Sequence, residues 1–310
     1  MPAIEILGIT KSYTVGFFRN KLRTALQPLN LTVAEGETFG FLGPNGAGKT
    51  TTLKILMGIV FPTSGEARIL GHHFHDPEIK KKVGFLPEQP YFYDYLSAPE
   101  LLDYYAQLSG VAKEQRRKRI PEMLARVGLP DVGKMQLRKF SKGMLQRVGI
   151  AQAIIHDPKI VFLDEPMSGL DPIGRREIRE LILGLKQEGR TVFFSTHILS
   201  DAEALCDRVG VIHKGVLRGI GVVEDLKSQN ADKSEIVWHG AHALNAVKEM
   251  LEQTHVTGET VRAVVQTTNL DAVLEKLRRE QARLLSVTPL HGTLEDYFVA
   301  HTSEKETVQR

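Results

Sequence analysis

The 310-residue chain carries 40 basic and 37 acidic side chains, which gives a formal net charge of +3. So small a basic excess argues against a nucleic-acid-binding protein, which usually presents a strongly basic face. The length suits one large domain and one smaller domain. An apolar content of 42% with 25% charged residues is typical of a soluble globular protein.

Three features of the sequence predict a cytoplasmic protein. The single cysteine, Cys206, cannot form an internal disulfide, and we expect it to be a small buried side chain. The N-terminal residues lack a charged start followed by an apolar run, so we expect no signal peptide. No apolar run reaches the roughly 20 residues that a spanning helix needs. If the protein works at a membrane, we expect another chain to supply the membrane part.

Strand patterns come first along the chain. Alternating apolar residues predict a strand over residues 4–9, followed by a basic, aromatic loop over residues 14–24. A second strand pattern runs over residues 29–33. The apolar residues 38–42 then predict a short strand that leads into a glycine-rich loop. A helix is predicted from Thr50 to about Gly58.

The middle of the chain is mostly helical from Ser97 to about Ile155. The apolar run 159–163 then predicts a buried parallel strand. A helix over residues 175–187 separates it from another buried strand over residues 191–194. This alternation of strands and helices predicts an α/β domain around a parallel sheet, spanning residues 1–226.

The pattern changes after about Leu226, where the polar residues 227–233 indicate a linker. Beyond it, strand and helix patterns alternate in the order βαββαβ, with one more helix at the end. That order predicts a small ferredoxin-like α+β domain over residues 227–310. Its predicted strands are residues 235–239, 254–256, 261–267 and 283–287, and its predicted helices are residues 241–252, 270–281 and 293–301.

Residues 43–50 match the phosphate-loop pattern G-x-x-x-x-G-K-[ST] between a strand and a helix, where such a loop belongs. Glycines let backbone N–H groups turn towards phosphate oxygens, and the helix N-terminus adds a partial positive charge. Lys49 is expected to reach the β- and γ-phosphates of a nucleotide, and the Thr50 hydroxyl to bind Mg²⁺. A chance glycine-rich turn is the alternative, and the context argues against it.

Charged residues follow two of the predicted buried strands. Asp164 and Glu165 end the first, at the edge of the sheet where ligands bind. Asp164 is the expected partner of Mg²⁺, and Glu165 the expected base that orients the attacking water. The alternative is a carboxylate pair that merely begins a turn. His197 follows the other strand, within possible reach of a γ-phosphate.

These residues resemble the ATP-binding subunit of an ATP-binding-cassette (ABC) transporter over roughly residues 1–225. Five elements appear in the family's order. They are the Walker A loop at 43–50, a signature motif at 140–147, Walker B at 160–165, the D-loop at 168–171 and the switch histidine, His197. Tyr13 also stands where the family stacks an aromatic ring on adenine.

The resemblance implies a P-loop NTPase core with a helical subdomain at about residues 90–155 and an antiparallel β subdomain. It also implies Mg²⁺ as the cofactor of ATP, and a catalytic set of Lys49, Glu165 and His197. The implied metal-binding residues are Thr50, Asp164 and Glu88. The implied ATP-binding residues are Tyr13, Gly43, Pro44, Asn45, Gly46, Ala47, Gly48, Lys49, Thr50, Thr51, Glu88, Ser141, Lys142 and Gly143.

Three positions depart from the general family pattern. Lys142 replaces a glycine of the signature and Met144 its glutamine, while Ser141 and Gly143 remain. The Q-loop position falls on Glu88, so that either Glu88 or its neighbour Gln89 is the residue directed at the metal. These departures resemble the drug-, sodium- and polymer-exporting branch of the family.

The resemblance further implies a head-to-tail dimer that forms on ATP. Each ATP would touch Walker A of one chain and the signature of the other, because Ser141 cannot face its own phosphate loop. Such a dimer would sit on the cytoplasmic face of the membrane and drive export through a separate permease subunit. The aromatic segment 91–95 is expected to include at least one exposed residue that docks on that subunit.

Two other functions compete with the exporter subunit. One is a soluble ABC ATPase that acts on ribosomes or nucleic acid. Such proteins usually carry two cassettes or long coiled-coil arms, and this sequence has one cassette and no heptads. The other is a nucleotide sensor without turnover, which conflicts with the presence of Glu165 and His197.

Overall fold

A computed structural model of the chain describes residues 2–15, 21–228 and 233–290. The chain divides into two compact units, Met1–Gly221 and Val222–Arg310. The predicted linker at residues 227–233 begins inside a short helix, Val223–Ser228. The division therefore falls about five residues before the boundary expected from composition.

The described part of the first unit combines two sheets with seven α-helices and a 3₁₀ helix, Leu137–Lys139. Its strands are β1 (Pro2–Val15), β2 (Lys21–Ala34), β3 (Thr38–Leu42), β4 (Ser64–Ile69), β5 (His72–His73), β6 (Val83–Leu86), β7 (Ile160–Asp164), β8 (Thr191–Thr196), β9 (Arg208–His213) and β10 (Val216–Val222). Its helices are α1 (Lys49–Leu56), α2 (Pro77–Lys80), α3 (Ala98–Leu108), α4 (Lys113–Arg126), α5 (Lys142–Ile154), α6 (Pro172–Gln187) and α7 (Leu199–Leu205).

The larger sheet has the strand order β10-β9-β3-β8-β7-β6. Strands β9, β3, β8, β7 and β6 run parallel to one another, and every residue of β3, β7 and β8 is buried. Phe39, Phe162 and Phe193 pack together in this interior, with 5.4 Å between the ring centroids of Phe39 and Phe193. Because the strands are parallel, their carboxyl ends meet at one edge of the sheet.

The smaller sheet of the first unit is antiparallel, in the order β2-β1-β4-β5. It corrects the prediction of a loop over residues 14–24, because β2 already begins at Lys21 and pairs residue by residue with the end of β1. The strand was not predicted because its sequence there is polar; backbone pairing with β1, and not an apolar face, stabilises it. Residues 16–20, which include Phe17, Phe18 and Arg19 of the predicted loop, lie outside the described residues.

Helices α3, α4 and α5 form a subdomain with a hydrophobic core of its own. Leu101, Leu124, Phe140 and Val148 are among its buried side chains. A capping box starts α3, because the Ser97 N–H donates to the Glu100 carboxylate at 2.8 Å. The mostly helical pattern read from the sequence between Ser97 and Ile155 therefore corresponds to three packed helices.

The described part of the second unit begins with α8 (Val223–Ser228) and contains one antiparallel sheet. Its other elements are β11 (Lys233–His239), α9 (Leu244–Val247), β12 (Leu251–Thr257), β13 (Thr260–Gln266), α10 (Thr267–Arg279) and β14 (Arg283–Leu290). The strand order β12-β13-β11-β14 is the one that a βαββαβ chain adopts in a ferredoxin-like fold. Trp238 is fully buried at the centre of its core, beside Val273 and Leu277.

Two predicted helices of this unit have different outcomes. The helix predicted over residues 241–252 is confirmed as helical turns over residues 241–250, of which only Leu244–Val247 is α-helical, and it ends two residues early. Strand β12 begins at Leu251, because its backbone pairs with β13 from that residue onward. The helix predicted over residues 293–301 lies outside the described residues.

Trp238 is the only tryptophan of the chain, so its fluorescence reports on the second unit. Replacing buried Leu277 by alanine should destabilise that unit by about 2–5 kcal/mol, because it leaves a cavity in the core. Urea unfolding followed by tryptophan fluorescence measures the change. The matched control is Leu285→Ala, whose side chain is 51% exposed and should cost less than about 0.5 kcal/mol. Equal midpoints for the two variants would contradict this packing.

Candidate functional site

The loop between β3 and α1 depends on glycine at two positions for steric reasons. A Cβ atom on Gly43 would lie 2.3 Å from the carbonyl oxygen of Ile212. One on Gly48 would lie 2.6 Å from Leu26 Cδ2, and Gly48 also has a φ of 116°, in the region that favours glycine. The loop therefore holds its tight path only with glycine at both positions.

Lys49 is the first residue of α1, and its side chain is 5% exposed. Its ammonium donates to the carbonyl oxygens of Gly43 at 2.6 Å and Pro44 at 3.3 Å. It also lies 3.1 Å from Glu165 Oε1. This contact is an ion pair and not a hydrogen bond, because Glu165 Oε1 has no hydrogen-bond partner. The ammonium is thus surrounded by oxygen atoms at a helix N-terminus, where phosphate oxygens bind in phosphate loops.

Glu165 follows the last residue of β7 and has a left-handed backbone, with a φ of 49°. This conformation costs a non-glycine residue about 1–2 kcal/mol. Two hydrogen bonds hold it: the Glu165 N–H donates to Ser195 Oγ at 3.0 Å, and the Glu165 carbonyl accepts from the Ser168 N–H at 3.1 Å. The buried carboxylate then lies with Oε2 2.8 Å from His197 Nδ1.

Asp164 is buried beside two hydroxyl groups. Burial raises the pKa of its carboxyl group, while hydrogen bonds from Ser195 and Thr50 act in the opposite direction. The Ser195 hydroxyl donates to Asp164 Oδ1 at 2.6 Å. A hydroxyl and a carboxylate oxygen therefore lie together at the end of the phosphate loop. This donor set fits Mg²⁺, which takes one or two protein oxygens and completes its shell with phosphate oxygens and water.

A cavity of about 700 Å³ opens beside the phosphate loop. It brings together residues from β1, β2, the loop, α1 and the ends of β6 and β7. Its walls are formed by Tyr13, Arg23, Thr24, Ala25, Asn45, Gly46, Gly48, Lys49, Thr50, Thr51, Glu88, Glu165 and Lys214. The volume is of the size found for nucleotide and cofactor pockets.

Tyr13 and Glu88 line the same cavity as the phosphate loop. Gln89, the alternative Q-loop residue, is not among the residues that line it. Gly43, Pro44 and Ala47 belong to the same loop but lie outside the lining, with Gly43 and Ala47 buried. Arg23 and Lys214 line the cavity although no sequence motif marks either of them.

The signature residues Ser141, Lys142 and Gly143 lie outside this lining, at the start of α5. Ser141 caps the helix, and its hydroxyl accepts from the Met144 N–H at 3.2 Å. Ser141 and Lys142 are exposed. Nearby, Asp171 of the D-loop caps α6 by accepting from the Gly174 N–H at 2.8 Å. The first turns of α5, after the signature serine, and of α6, after the D-loop, are therefore capped by side chains of the same chain.

Within the described ranges 2–15, 21–228 and 233–290, no helix is both long enough and apolar enough to cross a bilayer.

Cys206 is buried as predicted, and burial raises the pKa of its thiol well above the usual value.

Comparisons with known proteins agree on one family. The sequence profile described as ABC transporter matches residues 26–168. An uncharacterized ABC transporter ATP-binding protein of Synechocystis is 44% identical over 97% of this chain and 85% of its own length. The bacitracin transport ATP-binding protein BcrA of Bacillus licheniformis is 40% identical over 87% of this chain and 90% of its own length.

The solved structures give the same result for the fold. The ATP-binding cassette MJ0796, in a dimeric post-hydrolysis state bound to ADP and Pi, superposes with a TM-score of 0.65 at 29% identity. The match covers 71% of this chain and 98% of that one. A structure of the ATP-binding subunit of an ABC transporter superposes with a TM-score of 0.64 at 30% identity, over 73% of this chain and 92% of that one.

Ser195 provides a test of the site that no motif suggests. Ser195→Ala removes the hydroxyl shared by Asp164 and the Glu165 N–H, and a lost hydrogen bond to a charged group costs about 1.5–3 kcal/mol. We expect the ATPase kcat to fall about 10- to 100-fold, with a smaller change in nucleotide affinity. Steady-state turnover and nucleotide titration measure the two effects. Exposed Ser200→Ala is the control, and full turnover in Ser195→Ala would refute the role.

Proposed function

Since this chain belongs to the ATP-binding subunits of ABC transporters and is an ATPase of that family, we propose that it functions as a dimer. Two copies would bind two ATP molecules between them and use hydrolysis to drive export through a separate membrane-spanning subunit. Action on ribosomes or nucleic acid is not favoured, because the similar proteins named above are transporter subunits.

The observation that carries the hydrolytic role is the position of the buried Glu165 carboxylate, which contacts Lys49 through one oxygen and His197 through the other. The γ-phosphate of ATP would compete with Glu165 for the Lys49 ammonium. The carboxylate released in this way would accept a hydrogen bond from the attacking water and orient it. The second nitrogen of the half-exposed His197 ring would then face a γ-phosphate oxygen.

Mg²⁺ would be held by the Thr50 hydroxyl, with Asp164 and Glu88 as further oxygen partners. When bound, this ion supplies positive charge that neutralises the phosphates. The loop residues Gly43, Pro44, Asn45, Gly46, Ala47, Gly48 and Thr51 would surround the phosphates. This assignment of protein ligands is supported by the fact that Thr50, Glu88 and Lys49 line the same cavity.

Tyr13 would stack on adenine. Its ring has the Lys11 ammonium over one face, 4.9 Å from the ring centroid. Lys11 is fixed there by donating to the Phe61 carbonyl at 2.7 Å. Because Tyr13 lines the cavity, we propose its opposite face as the platform for the base.

The signature residues would complete the site of a second copy. Ser141 and Gly143 stand outside the cavity of their own chain, and the MJ0796 cassette that resembles this chain forms a dimer. Ser141, Lys142 and Gly143 would then contact the ATP bound to the partner's phosphate loop. This head-to-tail arrangement makes ATP part of the dimer interface.

The dimer is tested in a background that binds ATP without hydrolysing it. Glu165→Gln should retain ATP binding and lose turnover by a factor on the order of 10² or more, since the proposed base is gone. In that variant ATP should shift the chain from monomer to dimer in analytical ultracentrifugation. Adding Ser141→Arg should abolish the shift by placing bulk and charge in the interface, whereas Lys139→Arg, on an exposed residue nearby, should preserve it. An ATP-independent dimer that tolerates Ser141→Arg would contradict the arrangement.

A groove of about 310 Å³ between the core and the helical subdomain suits a docking helix of the membrane subunit. Its lining includes Phe85, Pro87, Pro90, Tyr91 and Phe92. Tyr91, Tyr93 and Tyr95 of this segment are 90%, 50% and 60% exposed, which supports their proposed role in docking. Exposed aromatic side chains beside a groove are typical of partner surfaces. We therefore place the chain on the cytoplasmic face of the membrane, held through this groove.

Docking is tested with the triple variant Tyr91→Ala, Tyr93→Ala and Tyr95→Ala. We expect the isolated chain to retain its ATPase activity within about twofold, because these exposed rings support no core. In cells that contain the permease, the amount of the variant recovered in the membrane fraction should fall by roughly tenfold or more, because a cluster of interface anchors is lost. Phe61→Ala, which changes an exposed aromatic residue elsewhere in the first unit, is the control. Unchanged membrane recovery of the triple variant would remove this groove from the proposal.

A further inference from the structure

The side chain of Lys142 lies across the D-loop of its own chain. Its Nζ, Cε and Cδ atoms are 2.3, 3.4 and 3.8 Å from the position that a Cβ atom on Gly169 would take. The end of the Lys142 side chain therefore occupies the position that a Cβ atom at residue 169 would take. Gly169 also has a φ of 67°, so glycine is favoured there for a second reason. The contact joins two segments that are 27 positions apart in the sequence.

A second contact between the same segments lies beside the first. A Cβ atom on Gly143 would be 3.9 Å from Leu170 Cδ2, and Leu170 is buried. The first turn of α5 thus approaches two consecutive residues of the D-loop. A displacement of one segment consequently changes the contacts of the other.

From Gly169 a short backbone path leads to the proposed base. Ser168 precedes Gly169, and its N–H donates to the Glu165 carbonyl at 3.1 Å. That hydrogen bond is one of the two that hold Glu165 in its left-handed conformation. The position of the D-loop therefore affects how the Glu165 carboxylate is presented to water.

We infer that Lys142 is a positioning residue that couples the two ATP sites of the dimer. The inference rests on the proposed function, in which the signature of one chain touches the ATP bound to its partner. When the partner's nucleotide draws Lys142 and Ser141 towards it, the D-loop of the same chain loses or changes its contact with the ammonium. The geometry of Glu165 in that chain then responds to ATP bound at the other site.

If Lys142 acted only by contacting the phosphates of the partner's ATP, its replacement would affect hydrolysis in the partner chain. Such a contact acts on the ATP held by the partner, and so on hydrolysis by the partner's Glu165. Coupling through Gly169 acts on hydrolysis by the Glu165 of the same chain. Because the two roles affect different chains, a dimer in which only one chain hydrolyses ATP can separate them.

The experiment uses mixed dimers of two differently tagged chains, of which one carries Glu165→Gln and cannot hydrolyse ATP. Lys142→Met is placed either in the competent chain or in the Glu165→Gln chain, and single-turnover hydrolysis of ATP is measured by rapid quench. We expect hydrolysis to slow about threefold to tenfold when Lys142→Met is in the competent chain. We expect a smaller change when it is in the other chain. An effect that is equal or larger in the other chain, or no effect in either, would overturn the coupling.

Two further variants separate this role from general damage. Lys139→Met changes another exposed lysine just before the signature helix and should leave the rate within about twofold. Lys142→Arg keeps a long side chain that ends in a cation and should retain most of the rate, whereas loss of the rate in Lys142→Arg would overturn the role of the contact with Gly169. If the mixed dimers fail to form with ATP when Lys142 is intact, the dimer proposal itself fails. If they form and the competent chain does not respond to Lys142→Met, only the coupling fails.

Discussion

The parallel pairing of β7 with β8 is the constraint on which the candidate site depends. Its register places Asp164 opposite Ser195, so that one hydroxyl can serve two consecutive residues of the neighbouring strand end. Strand β3 lies on the other side of β8, and the Gly43 N–H donates to the Thr196 carbonyl at 3.3 Å. The start of the phosphate loop and the two carboxylates are thereby fixed to the same sheet edge. A shift of one residue in β8 would remove Ser195 from Asp164 and His197 from Glu165.

The site holds charges that a folded protein would otherwise avoid. Lys49, Asp164 and Glu165 are all buried, and removing ionised groups from water costs more than a single ion pair usually returns. The raised pKa of Asp164 expresses that cost directly. Burial nevertheless strengthens each interaction with a bound polyanion, because the local dielectric is low. The same desolvation that costs stability therefore strengthens the attraction of these groups for a bound polyanion.

The sequence predicted the parts of the site that depend on local chemistry. The phosphate loop was predictable because its glycines and Lys49 act within eight residues, and the strand-end residues because short apolar runs reveal buried strands. Ser195, Arg23 and Lys214 were missed, since each acts only through pairing or packing with residues distant in the chain. The same limit explains the helix predicted over residues 241–252. Its local propensity is helical, but pairing with β13 turns residues from Leu251 onward into a strand.

Two glycines pack the strand that leads to the aromatic segment closely against the helix that carries the signature. A Cβ atom on Gly84 of β6 would lie 2.0 Å from the Ala153 carbonyl, and one on Gly149 of α5 would lie 2.5 Å from Leu86 Cδ1. Strand β6 and the buried end of α5 are therefore in close contact, without space for independent movement. Strand β6 leads directly to Glu88 and the exposed tyrosines, and the other end of α5 carries Ser141 and Lys142. The aromatic segment and the signature are therefore joined within the first unit by two closely packed elements, β6 and α5.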